Sequence, residues 1–348
     1  MLLDSERVHG YVLIWEVLLS TRNCMKVLYL HRPPSPLQPW YDDFVAALAG
    51  RFPVERYDPG RPLAEQLPGA GVVIDHGGFG GDRTFIDAAS QAGVKLWQAL
   101  SNGVDSLDVA YLSEKGLPLA NTPGPFSGIG VAEHALFLML AVAKNYHVSQ
   151  RCVRSKVFYA PANDDLEGKT LGVIGLGASG RELARRAWVM GMRVLAIDVV
   201  DIPQAVRQEC HLELFGNLGQ LDQVLAESDY LSLHIPLTKT TRHLIDRRAL
   251  GLMKPTAVLI NVARGPIVDE AALVEALQAG RIKGAGLDVF EREPLDPEHP
   301  LLHLENVITT QHVAGTSVGT SKRRAQACAE NVARIAQGLP ALYQIAVG

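Results

Sequence analysis

The chain has 348 residues, a length that favours about two domains at roughly 150 residues each and leaves room for real hydrophobic cores. With 47% hydrophobic and 20% charged residues it is not a disordered chain, and 33 Lys and Arg against 37 Asp and Glu, with no basic run, exclude a nucleic-acid binder. Cys24, Cys152, Cys210 and Cys328 form no C-x-x-C pair, a pattern that fits neither a disulfide framework nor a metal site and points to a reducing, cytoplasmic setting.

Residues 1–24 read as an N-terminal extension, because Asp4 and Glu6 beside Arg7 give the wrong charge balance for a secretory leader. From Met25 onward, short apolar runs at residues 26–30, 72–75 and 94–99 alternate with helical periods at 40–50 and 82–92. This β-α-β-α-β order predicts parallel strands, since parallel neighbours need a crossover that a helix supplies. Asn121-Thr122-Pro123-Gly124-Pro125 is dense in Pro and Gly and marks a domain boundary. Residues 131–145 form a helical stretch more apolar than a surface helix should be. The longest such stretches, 135–143 among them, fall well short of the ~18 residues of a membrane span.

A second series starts at Lys169, with strands expected at 170–174, 194–197, 230–234, 257–261, 284–288 and 307–310 and helical periods between them. Six short strands separated by helices describe a doubly wound sheet. An amphipathic stretch at 317–337 ends at Gly338 and Pro340, a helix stop, and its pattern suits packing on either domain.

Gly172-Val173-Ile174 runs into Gly175-Leu176-Gly177-Ala178-Ser179-Gly180, a G-x-G-x-x-G turn between a buried strand and a helix. The glycines permit a tight turn, close approach of backbone to a pyrophosphate, and close packing of helix on strand. The next strand ends at Asp198, 18 residues after Gly180, where a ribose-binding acid belongs. A carboxylate accepts from a 2′-hydroxyl but repels a 2′-phosphate, and the first basic residue after Asp198 is Arg207, so NAD is favoured over NADP.

Further motifs follow in order: Asn261-Val262-Ala263-Arg264-Gly265, Gly284-Ala285-Gly286-Leu287-Asp288-Val289-Phe290, Glu293-Pro294, and His312 within Thr310-Gln311-His312-Val313-Ala314-Gly315. Together with the glycine turn and Asn121-Thr122-Pro123-Gly124, the chain from about Val27 to about Gly338 resembles the D-isomer-specific 2-hydroxyacid dehydrogenase family. That resemblance implies a Rossmann-like NAD domain, residues 125–317, inserted into a flavodoxin-like substrate domain of residues 25–124 and 318–348, with a cleft between them. It implies hydride transfer between NAD(H) and a D-2-hydroxy acid or 2-oxo acid, and a homodimer built across the apolar 131–143 helix.

The catalytic set implied is Arg264, Glu293 and His312. The residue types suit the chemistry: an imidazole protonates the alkoxide left by hydride transfer, a carboxylate fixes its tautomer, and a guanidinium fork orients the oxo acid. The resemblance also places Ser101, Asn102 and Gly103 at the substrate carboxylate, Asp288 at the nicotinamide carboxamide, and His234 and Pro236 along the adenosine side. Val262, Ala263, His312 and Gly315 complete the implied cofactor contacts, beside Gly175, Gly177, Ala178, Ser179, Gly180 and Asp198. Asp75-His76-Gly77-Gly78-Phe79-Gly80-Gly81 is a glycine-rich loop at a strand end, either facing the cleft or serving as a connector.

Two departures stand out. Gln311 replaces the Pro common before the family's catalytic His, and Phe126 replaces a frequent polar residue after the Pro-Gly segment. Glu293 stands where formate dehydrogenases of the superfamily carry Gln, which speaks against formate. The other class that these motifs allow is an NAD(H)-sensing regulator of the corepressor type on the same fold.

Overall fold

The computed structural model describes residues 25–30, 38–76 and 81–346, so the expected 1–24 extension and the 77–80 part of the glycine-rich loop lie outside the described residues. The chain divides into two compact units, 1–123 with 321–348, and 124–320.

The first unit is built on β1 (Lys26–Leu30), β2 (Val54–Arg56), β3 (Ala70–Asp75), β4 (Leu96–Ala99) and β5 (Leu119–Ala120). These pair in the order β2-β1-β3-β4-β5, all parallel, which is the flavodoxin-like 2-1-3-4-5 winding. Strand residues alternate between two cores, as a period of two requires. Val27, Tyr29, Val72 and Ile74 pack with Phe44, Ala325, Cys328 and Val332 of the helices Gln38–Leu48 and Val318–Ala336 on one face. Leu28, Val73 and Trp97 pack with Phe85, Ile86 and Leu112 on the other. The C-terminal amphipathic helix, whose partner the sequence left open, therefore completes the core of the first unit.

The second unit contains β6 (Thr170–Ile174), β7 (Arg193–Ile197), β8 (Leu214–Gly216), β9 (Tyr230–Leu233), β10 (Val258–Asn261), β11 (Gly284–Leu287) and β12 (Val307–Thr309). Their order, β12-β11-β10-β9-β6-β7-β8, is parallel throughout and is the Rossmann winding with a seventh strand added. The winding reverses between β6 and β9, and loops that follow these two strands flank the point where such sheets bind ligands.

Three strands escaped the sequence reading. β2, β5 and β8 are two or three residues long, and β2 and β8 are only half-buried, so none presents an apolar run. The apolar stretch foreseen at 131–145 is a helix at Gly128–Ala143, and most of its excess is absorbed inside the unit, where Ala132, Ala135, Leu138, Met139 and Val142 are buried against β10, β11 and β12. Ile129 and Phe137 remain outside, 41% and 49% exposed.

The helix Ala178–Val189 crosses β6 so closely that a Cβ at Gly180 would sit 2.1 Å from the Gly175 carbonyl oxygen. Gly180→Ala must push helix from strand, and overpacking of this kind costs about 1–3 kcal/mol. Thermal unfolding should show a Tm lowered by several degrees, at roughly 2–4 °C per kcal/mol for a domain of this size. An unchanged Tm would mean that the turn has slack that the structure does not show.

Candidate active site

The glycine turn follows β6. Gly175 has φ +94°, and a Cβ there would meet the His234 carbonyl oxygen at 2.6 Å, so only glycine fits. Gly177 has open space where a Cβ would stand, and it caps the helix Ala178–Val189 without a side-chain hydrogen bond. The first N–H groups of that helix lack intrahelical acceptors, and the open space at Gly177 lies beside them. A pyrophosphate is the group this cradle fits.

Asp198 ends β7. Its carboxylate accepts from the Leu176 N–H at 2.6 Å and the Val200 N–H at 3.0 Å, fixing the turn while remaining partly exposed. His234, just after β9, joins Ser179 Oγ through Nδ1 and Ser232 Oγ through Nε2, each at 2.9 Å. Burial pushes the His234 pKa down to about 4, so the ring is neutral and works as a tie between β9 and the glycine helix. Pro236 is exposed, and its carbonyl accepts from Thr241 Oγ1 at 2.7 Å. Val262 and Ala263 are buried beyond the end of β10, and Gly315 is half-buried. These residues fit a dinucleotide lying across the strand ends.

Arg264 follows β10 on a loop that the buried Asn261 side chain organises, accepting from the Ala263 N–H at 3.1 Å and donating to the Arg264 carbonyl at 2.9 Å. At Gly265 a Cβ would lie 1.8 Å from the Phe290 carbonyl carbon, so this glycine lets the loop bearing Arg264 press against the loop that leads to Glu293. Glu293 Oε1 accepts from the Phe290 N–H at 3.0 Å, and Oε2 pairs with His312 Nδ1 at 2.7 Å. Partial burial works against ionisation of Glu293, but the hydrogen bond and charge of His312, the Phe290 N–H and the Arg264 charge outweigh it and hold the carboxyl below its usual range. With Nδ1 occupied, His312 offers Nε2.

What aims His312 is Asp288. This carboxylate has no exposed surface and accepts from Thr310 Oγ1 at 2.6 Å, Val313 N–H at 2.9 Å and Ala314 N–H at 2.8 Å, while its carbonyl accepts from the His312 N–H at 2.7 Å. His312 itself sits at φ +56°, a left-handed conformation that a side chain adopts only when its neighbours hold it. His134, from the apolar helix, joins Thr310 Oγ1 at 2.8 Å and stands 3.5 Å from Asp288. Burial of the His134 ring outweighs the Asp288 charge and lowers its pKa, favouring the neutral form. The resemblance gave Asp288 a role at the carboxamide; its visible work is to clamp the 310–314 loop. Thr310 and His134 were missed as parts of that clamp, although a His inside an otherwise apolar helix was a signal.

In the first unit, Ser101, Asn102 and Gly103 form the turn after β4. Ser101 Oγ donates to the Gly103 carbonyl at 2.8 Å, Asn121 Nδ2 to the Asn102 carbonyl at 2.7 Å, and the Thr122 N–H to the Ser101 carbonyl at 2.9 Å. The turn is tied at three carbonyls, which leaves backbone N–H groups of a rigid loop as donors. Among the described residues no cluster of His, Cys, Asp or Glu could hold a metal, and no helix is long and apolar enough to cross a membrane.

The model for the NAD binding domain of D-isomer specific 2-hydroxyacid dehydrogenases matches residues 136–314. The chain is 41% identical over 242 residues to a glyoxylate reductase of Korarchaeum cryptofilum, covering 68% of this chain and 71% of that protein. It is 37% identical over 278 residues to a D-3-phosphoglycerate dehydrogenase of Methanocaldococcus jannaschii, covering 79% of this chain and 52%, about half, of that longer protein. The D-lactate dehydrogenase of Aquifex aeolicus, solved with NAD and lactic acid, superposes with a TM-score of 0.75 at 28% identity, covering 90% of this chain and 96% of that one. The chain belongs to the D-isomer-specific 2-hydroxyacid dehydrogenase family, oxidoreductases that use NAD to interconvert 2-hydroxy acids and 2-oxo acids.

Proposed function

We propose that the chain reduces a 2-oxo acid to the D-2-hydroxy acid, with His312 as proton donor, Glu293 as its partner and Arg264 as the orienting cation. The observation that carries this reading is the 2.7 Å pair of His312 Nδ1 and Glu293 Oε2 on a loop clamped by buried Asp288. NADH, when bound along the glycine turn, supplies the hydride. His312 Nε2–H then delivers a proton to the oxygen as negative charge develops on it, and the Glu293 carboxylate stabilises the imidazolium before that transfer. Arg264 presents a planar fork that polarises the carbonyl and holds the acid. In the first unit we assign the Ser101–Gly103 loop to the substrate carboxylate, which its fixed N–H groups suit.

The setting is read as cytoplasmic, supported by free Cys152, Cys210 and Cys328. We read the protein as a homodimer, because Ile129, Phe137, Tyr146, Val153 and Phe158 leave apolar surface uncovered around the helices Gly128–Ala143 and Tyr146–Arg154. Light scattering should then give about twice the 37.7 kDa of the chain, and a monomer at micromolar concentration would refute it.

Turnover is tested with a panel of 2-oxo acids against NADH and NADPH, in wild type and Asp198→Ala. The expected result is reduction with a clear preference for NADH, and a gap between cofactors that narrows in the variant, which loses both the 2′-hydroxyl acceptor and the repulsion of a 2′-phosphate. No turnover with any oxo acid would sink the assignment, and unchanged selectivity would remove Asp198 from the adenosine site.

The Glu293–His312 pair also makes a pH signature. Because the folded Glu293 carboxyl titrates below its usual range, the carboxylate persists through the mildly acid region and supports the imidazolium there. Glu293→Gln removes that support, so the alkaline limb of kcat/KM for oxo-acid reduction should move to lower pH, and the acid limb for hydroxy-acid oxidation should move the same way. Limbs that stay in place while both rates fall would show that the pair is structural.

A further inference from the structure

Two buried side-chain polar atoms lack a hydrogen-bond partner among the described residues, Thr122 Oγ1 and Arg324 Nε. Both belong to the first unit and both lie at the C-terminal edge of its sheet. Thr122 follows β5 and hydrogen-bonds Ser101. Arg324 lies 5.5 Å over the ring of Trp40, which stacks at 5.1 Å on His76, the residue after β3. The two orphans are unequal. A neutral hydroxyl forgoes one hydrogen bond, whereas a guanidinium forgoes the solvation of a full charge.

Arg324 is only 8% exposed, and no ion pair or hydrogen bond to it exists among the described residues. Among the described residues no carboxylate forms an ion pair or a hydrogen bond with it. Cys328, one turn along the same helix, has its thiol pushed up by burial, and the Tyr29 phenol is pushed up likewise, so both are neutral. Tyr29 Oη shares a 2.9 Å hydrogen bond with His76 Nδ1. Asp43 is taken by Ser321 Oγ, and Asp75 accepts from Trp97 Nε1 at 3.2 Å. Burial draws the Arg324 pKa down to about 10, which still leaves it charged at neutral pH. A cation held this way, with only an aromatic face against it, is a site waiting for an anion.

We propose that Arg324 receives a second acidic group of the substrate, so that this chain acts on a 2-oxo acid carrying a distal carboxylate or phosphate. The inference rests on the oxo-acid reading above and deepens it. Its support is positional. Ligands of open parallel sheets bind beyond the carboxyl ends of the strands. Here the ends of β3 and β4 are joined by the Leu100 N–H to the Asp75 carbonyl at 2.9 Å. The Ser101–Gly103 loop, assigned to the first carboxylate, follows β4. Trp40 stacks on His76, the residue after β3, and Arg324 lies over Trp40. This edge thus carries both the tied Ser101–Gly103 turn after β4 and, over the buried Trp40 ring beside the end of β3, a guanidinium with no anion bonded to it.

The test compares glyoxylate and pyruvate, with one acidic group, against oxaloacetate, 2-oxoglutarate and 3-phosphohydroxypyruvate, with two, in wild type and Arg324→Met. Wild type should favour a doubly acidic substrate, and the variant should lose roughly 10- to 100-fold more kcat/KM on that substrate than on glyoxylate, the scale of one charged hydrogen bond. Which doubly acidic compound leads separates carboxylate from phosphate. Thermal unfolding supplies the second readout. Removing an unpaired buried cation should leave Tm unchanged or raise it, and succinate or inorganic phosphate should raise the Tm of wild type but not of the variant. Equal losses on both substrate classes, no preference in wild type, or a lowered Tm without anion would overturn the proposal. If wild type reduces no oxo acid at all, the reading of the reaction fails, and Arg324-dependent stabilisation by anions still decides whether this is an anion site.

Discussion

One carboxylate with no exposed surface organises the loop that carries His312. Asp288 directly follows β11 and takes hydrogen bonds from Thr310 Oγ1 and from the N–H groups of Val313 and Ala314, so the loop beyond β12 has only one way to run. A buried carboxylate left short of donors would be costly, and that penalty makes the arrangement rigid. The left-handed backbone at His312 persists because this clamp over-determines it. Where the family commonly has Pro before this His the chain has Gln311, and the Asp288 clamp supplies by hydrogen bonds the stiffness that a ring would have supplied by covalent geometry.

The cofactor side follows the same logic with glycine in place of charge. Absent Cβ atoms at Gly175 and Gly180 let turn, strand and helix approach within contact distances that no other residue permits. Neutral His234 then ties the end of β9 to Ser179 at the start of the helix. The glycine turn and the loops that carry Arg264, Glu293 and His312 therefore hang from strand ends of one parallel sheet, and the rigidity of that sheet sets their spacing.

Much of this was legible in the sequence. The parallel windings follow from apolar runs alternating with helical periods, and the G-x-G-x-x-G turn between strand and helix pointed to the NAD that the family uses. Arg264, Glu293 and His312 came from motif resemblance, since nothing in their local sequence distinguishes a strand-end Arg or a loop Glu from ordinary surface residues. The illegible parts have physical causes. Strands such as Val54–Arg56 and Leu214–Gly216 sit at sheet edges, are short and half-buried, and leave no periodic trace. The clamp joins residues 22 to 26 positions apart, and its His134 partner lies 176 positions from Thr310. Such pairings are products of topology. Arg324 hid differently: within the run Lys322-Arg323-Arg324 it reads as one more solvated base, and only the packing of its helix onto β1 and β3 shows which of the three turns inward.

The central claim is that His312, so held, is the proton donor of a hydride-transfer reaction. Single-turnover oxidation of bound NADH by the best oxo acid, measured in wild type and His312→Gln with NADH affinity determined in parallel, isolates that step. General acid catalysis is worth about 10²- to 10⁴-fold, so the chemical step should slow by that order while NADH affinity stays within a few-fold. A single-turnover rate that survives the substitution, or a loss of NADH binding as large as the loss of rate, would contradict the account.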